Sequence, residues 1–268
     1  MSNSVDYIVA IPARYGSSRL AGKPLALVDG EPMIVKVCKK ALESSANQVI
    51  ACVDHDEVAK ALESLALENK RLVICMTDSA PRSGTERIAQ MLKLKNIAPD
   101  TIVVNVQGDE PLITKDHIDE VANLLARSGA HMSTLCNRIT HIADVFDPNC
   151  VKVVMDKDNF ALYFSRTPIP YERDNFAQGQ DKVTELKCAH YHHIGIYGYK
   201  AATILDYLQR EPAAIEEAES LEQLRLLHYG MKIAVATTDR PPETGVDTLA
   251  DLERVNRIFK EQAEHHQS

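Results

Sequence analysis

Four short, almost uninterrupted apolar runs fall in the first 110 residues: YIVAIPA at 7–13, QVIACV at 48–53, RLVICM at 71–76 and TIVVNVQ at 101–107. A strand wetted on one face alternates apolar and polar side chains, whereas a strand covered on both faces does not. The runs therefore predict a parallel sheet sandwiched between helices. The segments between them supply such helices: MIVKVCKKAL at 33–42 puts Ile34, Val37, Cys38 and Ala41 on one stripe, and Val58, Leu62 and Leu65 form the next. Asp54, with Glu57 three residues on, fits a capping pair at the start of that second helix. An α/β chain follows.

Beyond Gly108 the pattern becomes mixed. A helix is expected from about Thr114, with Ile118, Val121 and Leu125 inward, and HMSTLCN, VKVVMD and ALYFS are strand-like stretches separated by turns. The polar segment 168–187, broken by Pro and Gly, reads as an exposed excursion, an interface arm or a mobile lid. GIYGY at 195–199 fits a strand, AATILDYL a helix, IEEAESLEQLRLL a longer amphipathic pattern, and MKIAVA a strand. Thr248 and Asp251 cap a closing helix whose inward stripe is Leu252, Val255 and Phe259.

A chain of 268 residues, 45% of them apolar, can bury a substantial core. Its 30 Lys and Arg stand against 38 Asp and Glu, a formal net charge of -8, which argues against a dominant nucleic-acid or anionic-membrane surface. The first residues lack a basic start and long apolar run, and no stretch reaches the 18 or more apolar residues of a spanning helix. A cytoplasmic protein without membrane insertion is the expectation. The six cysteines form no close pair, and Cys52 and Cys75 sit in apolar runs as buried free thiols would. A metal site built from Cys188, His190, His192 and His193 is disfavoured, because alternation along a strand divides these side chains between two faces.

Three segments could carry chemistry. IPARYGSSRLAGKPL at 11–25 follows the first strand and gathers Arg14, Arg19 and Lys23 between glycines, a pattern suited to an anion. It matches neither the dinucleotide GxGxxG nor the Walker spacing. VNVQGDEP at 104–111 puts Asp109 just past a strand's carboxyl end, where open α/β sheets place ligand groups; Glu110 either joins it or organises the turn. In TGVDT at 244–248, Asp247 either caps the last helix or adds a carboxylate to an oxygen-rich magnesium site.

These segments, together with SGTER, ALYFSRTPIP, HIGIYGY, LEQLRLL and YGMKIAVA, occur in an order that closely resembles the 3-deoxy-manno-octulosonate cytidylyltransferases, over nearly the whole chain. The resemblance implies a nucleotide-diphospho-sugar transferase-like fold, with a Rossmann-like mixed sheet flanked by helices. It implies one domain over 1–268, whose nucleotide-binding part is about 1–130 and whose sugar-binding and dimerisation part is about 131–240. The implied partners are CTP, an eight-carbon acidic sugar and a second copy of the chain, with Mg²⁺ as cofactor. The implied product serves lipopolysaccharide biosynthesis.

By the same resemblance, Arg14, Ser17 and Lys23 contact the triphosphate, and Ser83, Gly84 and Arg87 enclose the nucleotide. Asp109 and Asp247 match the magnesium ligands, while Arg14, Lys23 and Asp109 carry the catalysis. Gln107 borders both nucleotide and sugar; Arg166, His193, Tyr197, Glu222 and Gln223 match positions around the sugar. Read as residues alone, Arg166 could fork a carboxylate or lie without a partner at the surface. His193 and Tyr197 could bond sugar hydroxyls or be satisfied internally, and Glu222 and Gln223 read as solvent-facing on a helix. The chain departs from the family pattern at Pro81 and Arg82, before SGTER, and in CAHYHH at 188–193, which adds His190 and His192. The family includes enzymes for 3-deoxy-manno-octulosonate and others for its 8-amino-3,8-dideoxy analogue, so these departures bear on which sugar tail is read.

Overall fold

The computed structural model describes residues 5–16, 20–81, 83–243 and 245–265. Strands β1 (Tyr7–Ala13), β2 (Leu27–Val28) and β3 (Glu31–Pro32) precede helix α1 (Met33–Leu42). Then come β4 (Gln48–Val53), α2 (Asp56–Glu68), β5 (Leu72–Met76), α3 (Gly84–Leu94), β6 (Ile102–Asn105) and α4 (Lys115–Ser128). The second half runs β7 (Met132–Arg138), α5 (Ile142–Phe146), β8 (Lys152–Met155), β9 (Ala161–Ser165), α6 (Arg173–Phe176) and β10 (Tyr191–Lys200). It closes with α7 (Ala201–Tyr207), α8 (Ala214–Glu219), α9 (Gln223–His228), β11 (Ile233–Thr237) and α10 (Leu249–His265).

Nine strands form one mixed sheet, ordered β11-β7-β10-β6-β1-β4-β5, with β8 on β10 and β9 on β8. All four apolar runs of the first half are parallel neighbours: β1 lies between β4 and β6, and β5 flanks β4. Every residue of β1 is buried, and alternation sends Val9, Ile11 and Ala13 to one face and Ile8 and Ala10 to the other. The first face is covered by the stripes of α1, α2 and α4, including Ile34, Leu62 and Ile118; the second is covered by Ile88 and Met91 of α3 and Ile204 of α7. Each such fully buried aliphatic side chain contributes about 1.5–3 kcal/mol. Helix α4 stops at Gly129, whose φ of 66° is the left-handed cap that glycine adopts without strain.

After β4 and β5 have been laid down on one side of β1, the chain crosses back to place β6 on the other. That reversal opens a crevice at the carboxyl ends of β1 and β6, the usual ligand position of such sheets. Antiparallel β10 then joins β6 to β7, so the strands of the second half continue the same sheet.

Two local expectations are corrected, and the largely exposed 168–187 excursion gains detail. The Asp54 carboxylate does not cap α2; His55 does, its Nδ1 accepting from the Glu57 N–H at 3.3 Å, while Asp54 pairs with Arg87. The amphipathic pattern across 214–228 is two helices, parted where Ser220 turns left-handed at φ 51°. The 168–187 excursion carries α6 and a 3-10 turn at Gln180–Lys182, and it buries Phe176 and Val183 against Ile139 and Val145.

Candidate active site

The crevice holds two adjoining cavities. The larger, of about 530 Å³, is walled by Arg14 and Lys23 from the segment after β1, Ser83 and Gly84 at the start of α3, and Asp109 and Asp247. The smaller, of about 260 Å³, is walled by Asn105 of β6, Tyr197 and Tyr199 of β10, Tyr207 of α7, and Glu222 and Gln223 at α9. Gln107 and Gly84 belong to both linings.

Backbone geometry brings the ends of β1 and β6 together. The Val106 N–H donates to Ala10 O at 3.0 Å, and Gly108 lies so near β1 that a Cβ there would stand 2.8 Å from Pro12 O. Only a residue without a side chain fits. The following turn presents Asp109, and the distant 245–248 segment docks on it, the Val246 N–H donating to Asp109 O at 2.8 Å while the Val246 side chain is fully buried. Asp247 is thereby set beside Asp109. Capping of α10 falls to its neighbours: the Thr248 N–H donates to Asp251 Oδ2 at 2.9 Å, and the Asp251 N–H donates back to Thr248 Oγ1 at 3.2 Å.

Both carboxylates meet one cation. Lys23 Nζ donates to Asp109 Oδ2 at 2.5 Å and to Asp247 Oδ1 at 2.9 Å. Burial opposes the Lys23 charge, but the two carboxylates outweigh it and raise its pKa. Beside them the carboxyl of the half-buried Glu110 is turned inward, its Oε2 buried, and burial followed by the Asp109 charge pushes that carboxyl up to about 8. A largely protonated Glu110 leaves Asp109 and Asp247 as the facing anions.

Of the other positions drawn from the sequence, Ser83 caps α3, its Oγ accepting from the Glu86 N–H at 3.2 Å, and with Gly84 it brings the start of that helix to the wall of the larger cavity. Arg87 touches the same cavity but is 1% exposed, and its guanidinium is committed to Asp54 Oδ2 at 2.9 Å, Thr77 Oγ1 and Asp78 O. Asp54 Oδ1 in turn accepts the Tyr15 N–H at 2.9 Å, and the Tyr15 ring stacks on His55 at 4.0 Å. Arg87 and Asp54 thus hold the segment after β1 in place. Ser17, Arg19, Arg82 and Thr244 lie outside the described residues.

On the wall of the smaller cavity, Glu222 Oε2 accepts from Thr85 Oγ1 at 2.7 Å, which ties α9 to α3. Gln223 Oε1 accepts from the Tyr197 hydroxyl at 3.5 Å, and its Nε2, though buried, has no protein partner. A register shift in β10 between Ile194 and Tyr197 puts Tyr197 opposite Thr134. His193 packs behind this wall, Nε2 at 3.1 Å from Thr134 Oγ1 and its ring 5.4 Å from that of Tyr197. Burial, followed by the His192 charge, holds its pKa down to about 3, so the ring is neutral. Arg166 lines neither cavity; its Nε donates to Glu219 O at 2.6 Å, Nη1 to Pro148 O at 3.0 Å and Nη2 to Ser220 O at 3.4 Å. Asn105, Tyr199 and Tyr207 escaped the sequence reading. Tyr199 was legible in principle, since residues two apart on a strand share a face and Tyr197 was already singled out.

Known proteins resemble this chain along nearly its full length. A family model described as cytidylyltransferase matches residues 8–233. The 3-deoxy-manno-octulosonate cytidylyltransferase of Yersinia enterocolitica (serotype O:8 / biotype 1B) is 47% identical over 255 residues, which are 95% of this chain and 99% of that protein. Among solved structures, a CMP:2-keto-3-deoxy-manno-octonic acid synthetase complexed with CTP superposes with a TM-score of 0.85 at 35% identity, covering 96% of this chain and 99% of the other.

Proposed function

Because the chain belongs to the cytidylyltransferase family, we propose that it transfers CMP from CTP to 3-deoxy-manno-octulosonate and releases pyrophosphate, supplying lipopolysaccharide biosynthesis. The observation that carries this reading is the wall shared by the two cavities. A cavity with facing cations, carboxylates and a helix N-terminus adjoins one lined with hydroxyls and amides, and Gln107 and Gly84 stand where they meet.

CTP lies in the larger cavity with its triphosphate toward Arg14, Lys23 and the start of α3. The sugar lies in the smaller one against Tyr197, Glu222 and Gln223, the unpartnered Gln223 Nε2 donating to a sugar oxygen. His193 supports Tyr197 from behind, and Arg166 positions the turn before Glu222 through the Glu219 and Ser220 carbonyls. Placing the two substrates across Gln107 sets the anomeric hydroxyl to attack the α-phosphorus in line, with pyrophosphate leaving toward Lys23 and Arg14. No protein nucleophile is required.

Asp109 and Asp247 fit magnesium, since their oxygens already converge on a single cation and carboxylate oxygens are the hard donors it takes. When bound, the ion neutralises charge developing on the phosphoryl group. Lys23 then has to release the carboxylates, and its ammonium is turned to the triphosphate. A homodimer working in the cytoplasm completes the reading. Among the described residues no helix is long and apolar enough to cross a membrane.

The Glu222 carboxylate in the sugar-side wall favours a second substrate, the 8-amino-3,8-dideoxy analogue, whose ammonium it could pair. The test is pyrophosphate release from each of CTP, UTP and ATP, with both octulosonates and a sialic acid as acceptors. CTP with an octulosonate should give the highest kcat/KM. Preference for the sialic acid would reassign the sugar, and CTP binding without turnover would leave a nucleotide-sugar-binding protein.

A further inference from the structure

The His and Cys residues that distinguish the 188–193 segment find no use in either cavity. Two of them, Cys188 and His190, come together with Glu172 from the 168–187 excursion, and the three side chains offer donor atoms that all lie within 4.8 Å of one another. Cys188 Sγ is 3.3 Å from Glu172 Oε1, and His190 Nδ1 is 3.7 Å from the same oxygen. With bonds of about 2.0–2.3 Å, neighbouring ligands of a tetrahedral zinc stand about 3.3–3.8 Å apart. Those two pairs already have that separation.

The histidine tautomer points the same way. His190 Nε2 lies 2.9 Å from Pro170 O, which can only accept, so Nε2 carries the ring proton. The other ring nitrogen, Nδ1, faces acceptors, Cys188 O at 3.3 Å and Glu172 Oε1 at 3.7 Å. The His190 side chain is 0% exposed, so solvent does not satisfy it. The Glu172 carboxylate is held in place by the Lys187 and Cys188 N–H groups, which donate to Oε1 at 3.0 and 3.1 Å, and by Asn175, which donates to Oε2 at 2.6 Å, so a cation at this point would meet imidazole, a fixed carboxylate and sulfur together. A ring whose outer N–H is fixed by a backbone carbonyl is also the usual setting of a metal-bound histidine. One thiol, one imidazole and one carboxylate suit zinc rather than magnesium. Cys188 is exposed, which gives an ion a way in and leaves a fourth position for water.

We propose that Glu172, Cys188 and His190 form a zinc-type metal site that staples the 168–187 excursion to the start of β10. On binding, the thiol proton that Cys188 donates to Glu172 is released to solvent, the thiolate sulfur bonds the metal, and Nδ1 adds its lone pair while Nε2 keeps its proton. The strand so anchored is the one that carries Tyr197 and Tyr199 into the smaller cavity. Sequence alternation did not reveal the site because its third ligand comes from a polar loop, and His192 and His193 take no part.

Tag-free, full-length protein stripped with a chelator and then titrated with cobalt(II) tests this directly. The expected result is a near-ultraviolet thiolate-to-cobalt charge-transfer band that saturates at one ion per chain, is bleached by zinc and is unaffected by magnesium. Cys188→Ser should abolish the band and weaken zinc binding by at least about 100-fold, the upper end of what losing an outer-sphere partner alone costs. Cys150→Ser should retain both. In the unaltered protein, zinc should also slow alkylation of Cys188, located by mass spectrometry, which needs no variant to fold. Absence of the band in the wild type, its survival in Cys188→Ser, or unchanged alkylation would overturn the proposal.

Discussion

Lys23 spans Asp109 and Asp247 with one ammonium, and in the proposed reaction it has to exchange those partners for phosphate. Lys23→Ala should therefore lower kcat/KM for CTP while making thermal stability more responsive to Mg²⁺ than in the wild type, because two facing carboxylates lose their counter-ion. Equal magnesium-induced shifts in melting temperature would contradict the exchange. Asp109→Asn and Asp247→Asn should each reduce kcat/KM by about 10- to 100-fold, the equivalent of a charge-assisted contact of about 1.5–3 kcal/mol, with saturation at higher Mg²⁺. Rate profiles against magnesium check this, and an unshifted profile in both variants rejects the assignment. His193 gives a prediction in pH. Its folded pKa of about 3 lies below the value of about 6.5 in an unfolded chain, so between these values the unfolded chain binds the extra proton. Its contribution to stability is present above pH about 6.5 and drains away as pH falls toward about 3. His193→Gln should flatten the loss of stability between those limits in denaturant titrations; an identical slope would mean that another group titrates.

At the scale of elements, the crevice depends on how closely the β6 end approaches β1. Gly108→Ala would put a methyl 2.8 Å from Pro12 O, and overpacking of this kind costs about 1–3 kcal/mol. Both melting temperature and turnover should fall, since Asp109 rides on the displaced turn; a stable, fully active variant would show that the turn has slack. Arg166→Lys should damage use of the sugar more than of CTP, because one ammonium cannot replace bonds to the carbonyls of Pro148, Glu219 and Ser220. Comparing KM for each substrate separates the two effects. The buried strands were legible because burial on both faces writes itself as continuous hydrophobicity. The Asp54 cap was misread because its partner Arg87 arrives from another helix, and the break at Ser220 because Arg166 secures it from 53 or 54 residues away. Periodicity within a segment carries neither message.

Across the molecule, one sheet presents the segment that bears Arg14 and Lys23 at the parallel β1–β6 junction and carries Tyr197 and Tyr199 on the antiparallel strand added beside it. Segment order along the chain was enough to expect both sides and to nominate Asp109, Asp247, Glu222 and Gln223. The double place of Gln107 was expected from the resemblance, but that Gly84 would line both cavities was not legible, because it depends on the packing of the start of α3 against Pro12 and Gln107 from other parts of the chain. The central claim is that a sugar oxygen in one cavity displaces pyrophosphate from CTP in the other. Phosphorus NMR of protein with CTP, Mg²⁺ and 3-deoxy-manno-octulosonate reads which bond breaks. The account predicts that the triphosphate signals give way, in equal amounts, to one sugar-linked phosphodiester and to pyrophosphate; CDP with phosphate, or CMP with pyrophosphate and no diester, would contradict it.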